Sequence, residues 1–285
     1  MSLNPLPVAP PKIVAIAKDT NVKPEHASED KDLPGTPPKY GQDFTFAVGR
    51  TAPGGEDVGG APPGFVGSTE DVLKMRMEKL LRIFATGDEK KMARRLFDKF
   101  LSKRNRVYYF EDKDLNAAAE AHENIRSFCS KALGAPPPFG ISPAPGTTRI
   151  HQALKAAGWD LAQLVAPTDL GVPAFNKGNK ARKTEDFDNG LGLMINGVQH
   201  AYVIATGFAY DAAGGMYCIA LRYIFYDVFG LDDDDLKEYG AKSDGWLSSD
   251  AAVGITAWWQ LQHQFGYAPL VTRIVVERTF TMPAL

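Results

Sequence analysis

The sequence predicts an α+β fold: a mainly helical region, then an antiparallel meander with a C-terminal helix and a final strand, all preceded by a proline- and glycine-rich arm. Three observations carry this. Eleven of the twenty prolines fall within residues 1–66, and proline denies propagation to helix and central strand alike. From Ser68 apolar residues recur at spacings of three and four, the period of a helix packed on one side. From Asn189 they alternate in steps of two, the period of a strand. The resulting divisions are an arm over 1–66, a mainly helical region over 67–188 and an antiparallel α+β unit over 189–285, with 67–285 forming one compact domain.

The arm reads as partly extended, and its alternating stretch Asp43–Val48 can add one strand to the body. Behind a Ser68–Asp71 start signal, Leu73, Met77, Leu80, Leu81 and Phe84 define a first helix closed at Thr86-Gly87-Asp88. A second places Met92, Leu96, Phe97 and Phe100 on one face, with Lys90, Arg94, Arg95, Lys99 and Lys103 largely outside it. Interleaved Glu89 and Asp98 dilute that basic face, which reads as solvated. A third helix runs from Asp114 to Leu133 and ends before Pro136-Pro137-Pro138; a short one spans Thr148 to Leu164. The basic run Lys177–Lys183 lacks aromatic interleaving for base stacking and reads as an exposed loop.

Leu191–Ile195 meets Asn196-Gly197, a strong hairpin signal, so a strand is expected on each side of that turn. On the return strand, Tyr202, Ile204, Thr206, Phe208 and Tyr210 share one face. Val203, Ala205, Gly207 and Ala209 share the other, small enough for a helix to pack there. Met216–Phe225 alternates again and completes a three-stranded meander. Asp250 N-caps a helix through Val253, Trp258, Leu261 and Phe265 that Gly266 terminates, and Leu270–Phe280 is the last strand.

Composition excludes several functional classes. Thirty-two bases against thirty-four acids leave a net charge of −2, so no long-range field marks the chain for nucleic acid or an anionic membrane. The start lacks a basic segment followed by an apolar run, which predicts no secretory signal peptide. Charged residues interrupt every apolar window, so no transmembrane segment is expected. Cys129 and Cys218 sit among apolar neighbours and read as buried thiols. Phosphate-loop, nucleophile-elbow and zinc-site spacings are absent, and no motif identifies a cofactor.

Candidate site residues follow from position. Asp227 leaves the third strand where alternation ends, so its carboxylate is either a rigidly held acid or base or a cap for the following turn. Tyr226 beside it either orients a substrate or completes the core. His200 opens the second strand and His263 lies on the last helix. Each either partners Asp227 in acid–base chemistry or is structural. Asp232 to Asp235 read as a solvated helix start complementing the dipole, with Asp232 and Asp233 as a weak alternative for a divalent cation, because adjacent carboxylates do not converge. Of Trp258 and Trp259, adjacent on a helix and pointing about 100° apart, at least one belongs in the core, Trp258 being the better candidate.

The runs Asn189–Ile195, Tyr226–Asp232 and Ala257–His263, the last followed by Gly266–Leu270, resemble an uncharacterised proteobacterial domain-of-unknown-function family associated with type VI secretion genes. The segment Tyr108–Asn116 is also similar, and the resemblance spans about Glu70 to Phe280. It implies an effector: an antibacterial toxin held in the producer's cytoplasm, carried without a signal peptide on the secretion spike into a neighbouring cell, and neutralised in the producer by a cognate immunity protein. It implies a spike or adaptor contact through residues 1–66, and it implies no reaction. A related member often has histidine where this chain has Val228, which counts against a histidine-dependent mechanism at that position. An enzymatic effector would use Asp227 as acid or base, Tyr226 to orient substrate and His200 or His263 as partner. The alternative is a non-enzymatic binding module: a spike-associated adaptor or structural protein, or a membrane-perturbing toxin.

Overall fold

The computed structural model describes residues 3–19, 26–27, 33, 39–50, 52, 70–102, 108–138, 140–175, 190–195, 197–241 and 249–284. The chain is α+β, and its centre is a curled, mixed sheet of five strands resembling half a barrel. In sheet order these are β1 (Leu6–Lys18), β5 (His200–Asp211), β6 (Met216–Phe229), β7 (Leu270–Pro283) and β4 (Tyr108–Phe110). Neighbours are antiparallel except β4, which runs parallel to β7. A separate two-residue pairing joins β2 (His26–Ala27) to β3 (Lys39–Tyr40).

The strand at one edge corrects the reading of the arm. Leu6–Lys18, with Pro7, Pro10 and Pro11, is a thirteen-residue strand that buries Val14, Ala15 and Ala17, so the N-terminal half is not purely helical. Proline is tolerated at a sheet edge because the missing N–H faces away from the ladder. The expected strand at Asp43–Val48 is instead a 3₁₀ turn over Gln42–Phe44 followed by irregular chain.

A second correction concerns the hairpin. Leu191–Met194 forms one helical turn, here α7, entered through Gly190 at φ 100°. That left-handed conformation favours glycine. The meander is therefore β5–β6–β7, with the final strand paired along β6 rather than a strand before Asn196.

The helices are α1 (Glu70–Met77), α2 (Lys79–Phe84), α3 (Lys90–Ser102), α4 (Lys113–Ala121), α5 (Glu123–Leu133), α6 (Ile150–Ala156), α8 (Asp233–Tyr239) and α9 (Ser249–His263). The expected third helix is broken at His122, whose extended backbone and Nδ1 cap α5. The expected fourth stops at Ala156, followed by a 3₁₀ turn over Leu161–Gln163. Three basic residues of α3 are engaged: Arg94 pairs with Glu78, Arg95 with Asp112 and Asp114, and Lys99 donates to the Tyr109 carbonyl. The basic run at 177–183 lies outside the described residues. Among them no helix is long and apolar enough to cross a membrane.

The two sheet faces differ as the alternation predicts. Ala201, Val203, Ala205 and the β6 residues Tyr217, Ile219, Leu221, Tyr223 and Phe225 join the main core with the helices. Tyr202, Ile204, Ile224, Tyr226 and Val228 form a second cluster with Leu33, Tyr40 and Phe44 of the N-terminal segment. A register shift between Ala205 and Gly207 lets Phe208 cross to the helix side, against Tyr217, as a bulge does by adding a residue to one strand. Both cysteines are buried and free, and both tryptophans of α9 are buried.

Candidate functional site

Where β6 gives way to α8, a segment from the N-terminal region lies across the chain. Residues 41–50 run along the C-terminal end of α9: Ala47 N donates to Gln262 O at 3.1 Å, Gly49 N to Gln264 O at 2.9 Å and Arg50 N to His263 O at 3.0 Å. These bonds occupy carbonyls that a helix end leaves without intrahelical partners. Gln262, fully buried, ties the same strap from the side. Its Nε2 shares two hydrogens among the carbonyls of Asp43, Thr45 and Leu231, at 2.9, 2.6 and 3.0 Å, and its Oε1 accepts from Leu231 N at 3.0 Å. Close approach requires Gly230, since a Cβ there would stand 2.2 Å from the Asp43 carbonyl oxygen.

The strap thereby delivers Asp43 to the first turn of α8. Asp232 N-caps that helix, its Oδ1 accepting from Asp234 N and Asp235 N at 2.8 and 3.0 Å, while Asp235 Oδ2 accepts from Asp232 N at 3.1 Å in a reciprocal capping box. The box turns Asp235 inward, toward Asp43. Each of Asp43, Asp232 and Asp235 offers an oxygen, and these oxygens lie within 4.8 Å of one another.

This cluster opens on a cavity of about 350 Å³. Its lining includes the polar Asp19, Asp43, Asp227, Asp235 and Gln199 and the apolar Phe84, Met194, Phe229, Ile255 and Trp258. No lining residue among those described is cationic. Burial, reinforced by Asp235 and Asp232, pushes the Asp43 carboxyl up to about 8. Burial, reinforced by Asp232, Glu238 and Asp234, pushes Asp235 up to about 7 against the lowering effect of its bond from the Asp232 N–H. Like charges at this spacing in a poorly solvated site cannot all ionise freely, so protons are retained near neutral pH. Trp258 is 5% exposed, and its Nε1–H has no acceptor among the described residues.

The same three carboxylates can also meet one divalent cation. Asp232 Oδ1, Asp235 Oδ2 and Asp43 Oδ2 already accept hydrogen bonds, and the Asp43 carboxyl is also bonded by its own backbone N–H. A cation would take the rest of its shell from water or a ligand; protons need no further ligands.

The residues singled out from the sequence are not gathered in one place. Asp227 lines the cavity, buried, with its Oδ1 accepting from Val228 N at 3.0 Å. Tyr226, on the opposite face by alternation, packs in an aromatic cluster with Tyr40, Tyr109 and Tyr202 at ring distances of 6.0 to 6.4 Å. His200 is the cross-strand neighbour of Tyr226, so it shares that face rather than the one carrying Asp227. His263, fully buried, donates from Nε2 to Leu231 O at 2.8 Å and accepts at Nδ1 from Arg50 at 3.2 Å. Burial holds it below the usual histidine range, so it ties the strap to α9 as a neutral ring. Asp233 turns away from the cluster: Arg50 and the Trp259 indole take its two oxygens at 2.6 and 3.2 Å.

Asp43 and Asp235 are the acids that sequence reasoning missed. Asp43 lies 192 positions from Asp235, in a segment whose only visible pattern was alternation. The Asp232–Asp235 spacing of a capping box was a usable signal for Asp235, because such a box fixes the direction of both side chains. Against models of known families, curated proteins and solved structures, the chain has no match.

Proposed function

We propose that this protein is a type VI secretion effector, an antibacterial toxin that acts as a hydrolase or transferase, with Asp43 and Asp235 as its general acid and base. The observation that carries the enzymatic reading is the carboxyl pair itself. It is held near neutrality by burial and like charge in a cavity that also has an apolar wall, and a catalytic acid or base works best when it titrates near the working pH. A lining that, among the described residues, contains acids and no bases favours an uncharged or cationic substrate over phosphate, nucleic acid or carboxylate ligands. Delivery to a neighbouring cell, a cognate immunity protein and a spike or adaptor contact through residues 1–66 belong to the same proposal. They rest on the resemblance of Asn189–Ile195, Tyr226–Asp232 and Ala257–His263 to the secretion-associated family.

The test is expression in a bacterium lacking the neighbouring gene, once in the cytoplasm and once exported, as wild type and as Asp43→Asn and Asp235→Asn. Either substitution is expected to reduce toxicity by about 10²- to 10⁴-fold, the usual worth of a positioned acid or base. Absence of growth inhibition from wild type by both routes would sink the toxin reading and leave the non-enzymatic binding module. Toxicity retained by both variants but lost in Asp227→Asn would move the site to Asp227. Inhibition of purified activity by EDTA, restored by Mg²⁺, would assign the carboxylates to a cation.

A further inference from the structure

A second cavity, sharing no residue with the acidic one, carries bases instead. It lies between α5 and residues 170–174, holds about 430 Å³, and has Lys131 and Arg149 in its lining with no acid among the described residues. One stripe of α5 forms a wall: Asn124, Ser127, Phe128, Lys131 and Ala132 recur at the spacings that place side chains on one side of a helix. The facing segment is fixed at both ends. Leu170 bridges to Ala17 of β1, Ala174 bridges to Gly197, and Asn124 Nδ2 donates to Ala174 O at 2.7 Å. Arg149, the residue before α6, reaches the same space over Gly134. A Cβ at that glycine would stand 2.4 Å from Arg149 Cβ, so the left-handed residue that ends α5 also makes room for the arginine.

The Arg149 side chain is only 17% exposed, and its bonds, to Thr148 O at 2.7 Å and Asp169 Oδ1 at 3.0 Å, all leave from Nη1. Nε and Nη2 therefore keep their hydrogens for a further acceptor. Lys131 Nζ and Ser127 Oγ make no bond to a described residue. Asp169 offsets the guanidinium from outside the lining, while Lys131 has no counter-ion, so the cavity is net positive. Cations here also suit the negative end of the α5 dipole, but that role calls for neither a cavity nor an apolar wall.

We propose that this cavity binds a small organic carboxylate. Arg149 and Lys131 receive the carboxylate, Ser127 adds a neutral donor, and the apolar body of the ligand lies against Phe128, Val172 and Pro173. A planar guanidinium edge matches the two oxygens of a carboxylate. Two cations, one already shared with Asp169, suit a single negative charge better than the two of a phosphate. The apolar wall likewise rewards an organic body.

The experiment is an amide-resolved NMR titration of the full chain with phenylbutyrate, its uncharged amide phenylbutyramide, and inorganic phosphate, each to about 10 mM. Phenylbutyrate is expected to shift the amides of residues 127–132 and 170–174 with a Kd of about 1 mM. The amide and phosphate are expected to bind at least about tenfold more weakly, and Lys131→Gln or Arg149→Gln to weaken phenylbutyrate by about tenfold, as loss of a charge-assisted hydrogen bond does. Lys131 is exposed, so its variant carries the test should Arg149→Gln lose the packing over Gly134. Absence of shifts at these residues, equal binding of the uncharged amide, or affinity undiminished in Lys131→Gln overturns the site. Phosphate binding more tightly than phenylbutyrate overturns the ligand class.

Discussion

Two polar clusters share the first turn of α8 and differ in one respect, the presence of a base. Asp233 faces Arg50, the Trp259 indole and, through Arg50, the neutral ring of His263. Asp235, two residues on, faces Asp43 with Asp232 alongside and no cation in the cavity wall among the described residues. The first arrangement satisfies its charges within the protein and fastens the strap to α9. The second leaves like charges together, which lowers stability and leaves a proton to exchange. A destabilised cluster beside a matched one, on the same helix turn, is what the proposed acid–base role rests on.

The pH dependences of the two clusters have opposite signs. His263 is held below its usual range, so the unfolded chain binds its proton more readily, and stability is lost as pH falls below about 6.5. Asp43 and Asp235 are raised to about 8 and 7. Between about pH 4 and those values the native state holds protons that the unfolded state has released, so stability falls as pH rises through that window and then levels.

The comparison is broken most severely by removing what both clusters hang from. Gln262→Leu takes a donor from the part-buried carbonyls of Asp43 and Thr45 and the acceptor from the buried Leu231 N–H, leaving the Leu231 carbonyl with His263 alone. It is expected to cost about 3–4 kcal/mol in urea unfolding and to return Asp43 to an ordinary carboxyl titration. Asp235→Asn sharpens it: this substitution is expected to stabilise the protein by about 1–2 kcal/mol at pH 8 and to make little difference at pH 4, where thermal melts would show the curves converge. Equal stabilisation at both pH values would deny that the carboxyls are in conflict. The smallest effect is expected from Arg50→Met. The Arg50–Asp233 pair has side chains 38% and 27% exposed, so solvent screening limits the loss to about 1 kcal/mol, decreasing in high salt. A loss of several kcal/mol would show that the matched cluster, too, is under load.

Legibility in the sequence followed the range of the interactions. The C-terminal strands, α9 with its glycine stop, Asp232 as helix start and the small-residue face of β5 were readable because each depends on neighbours a few positions away. The turn at Leu191–Met194 was misread because apolar runs of that length suit helix and strand equally, and Asn-Gly after them favoured a hairpin. Leu6–Lys18 was misread because three prolines argue against a strand unless one knows that the strand is an edge.

The sequence by itself thus determined the α+β class, the buried thiols and most of the elements from 200 onward, because hydrophobic period, caps and turn residues act locally. Only the tertiary structure decided which acids meet. Asp227, at a strand end, was the conspicuous carboxylate, and it does line the cavity. Its proposed partners Tyr226 and His200 lie on the other face, however, while Asp43 arrives from the N-terminal segment over Gly230. Proximity between residues nearly two hundred positions apart is set by the packing of the strap on α9. No local pattern of residues encodes it.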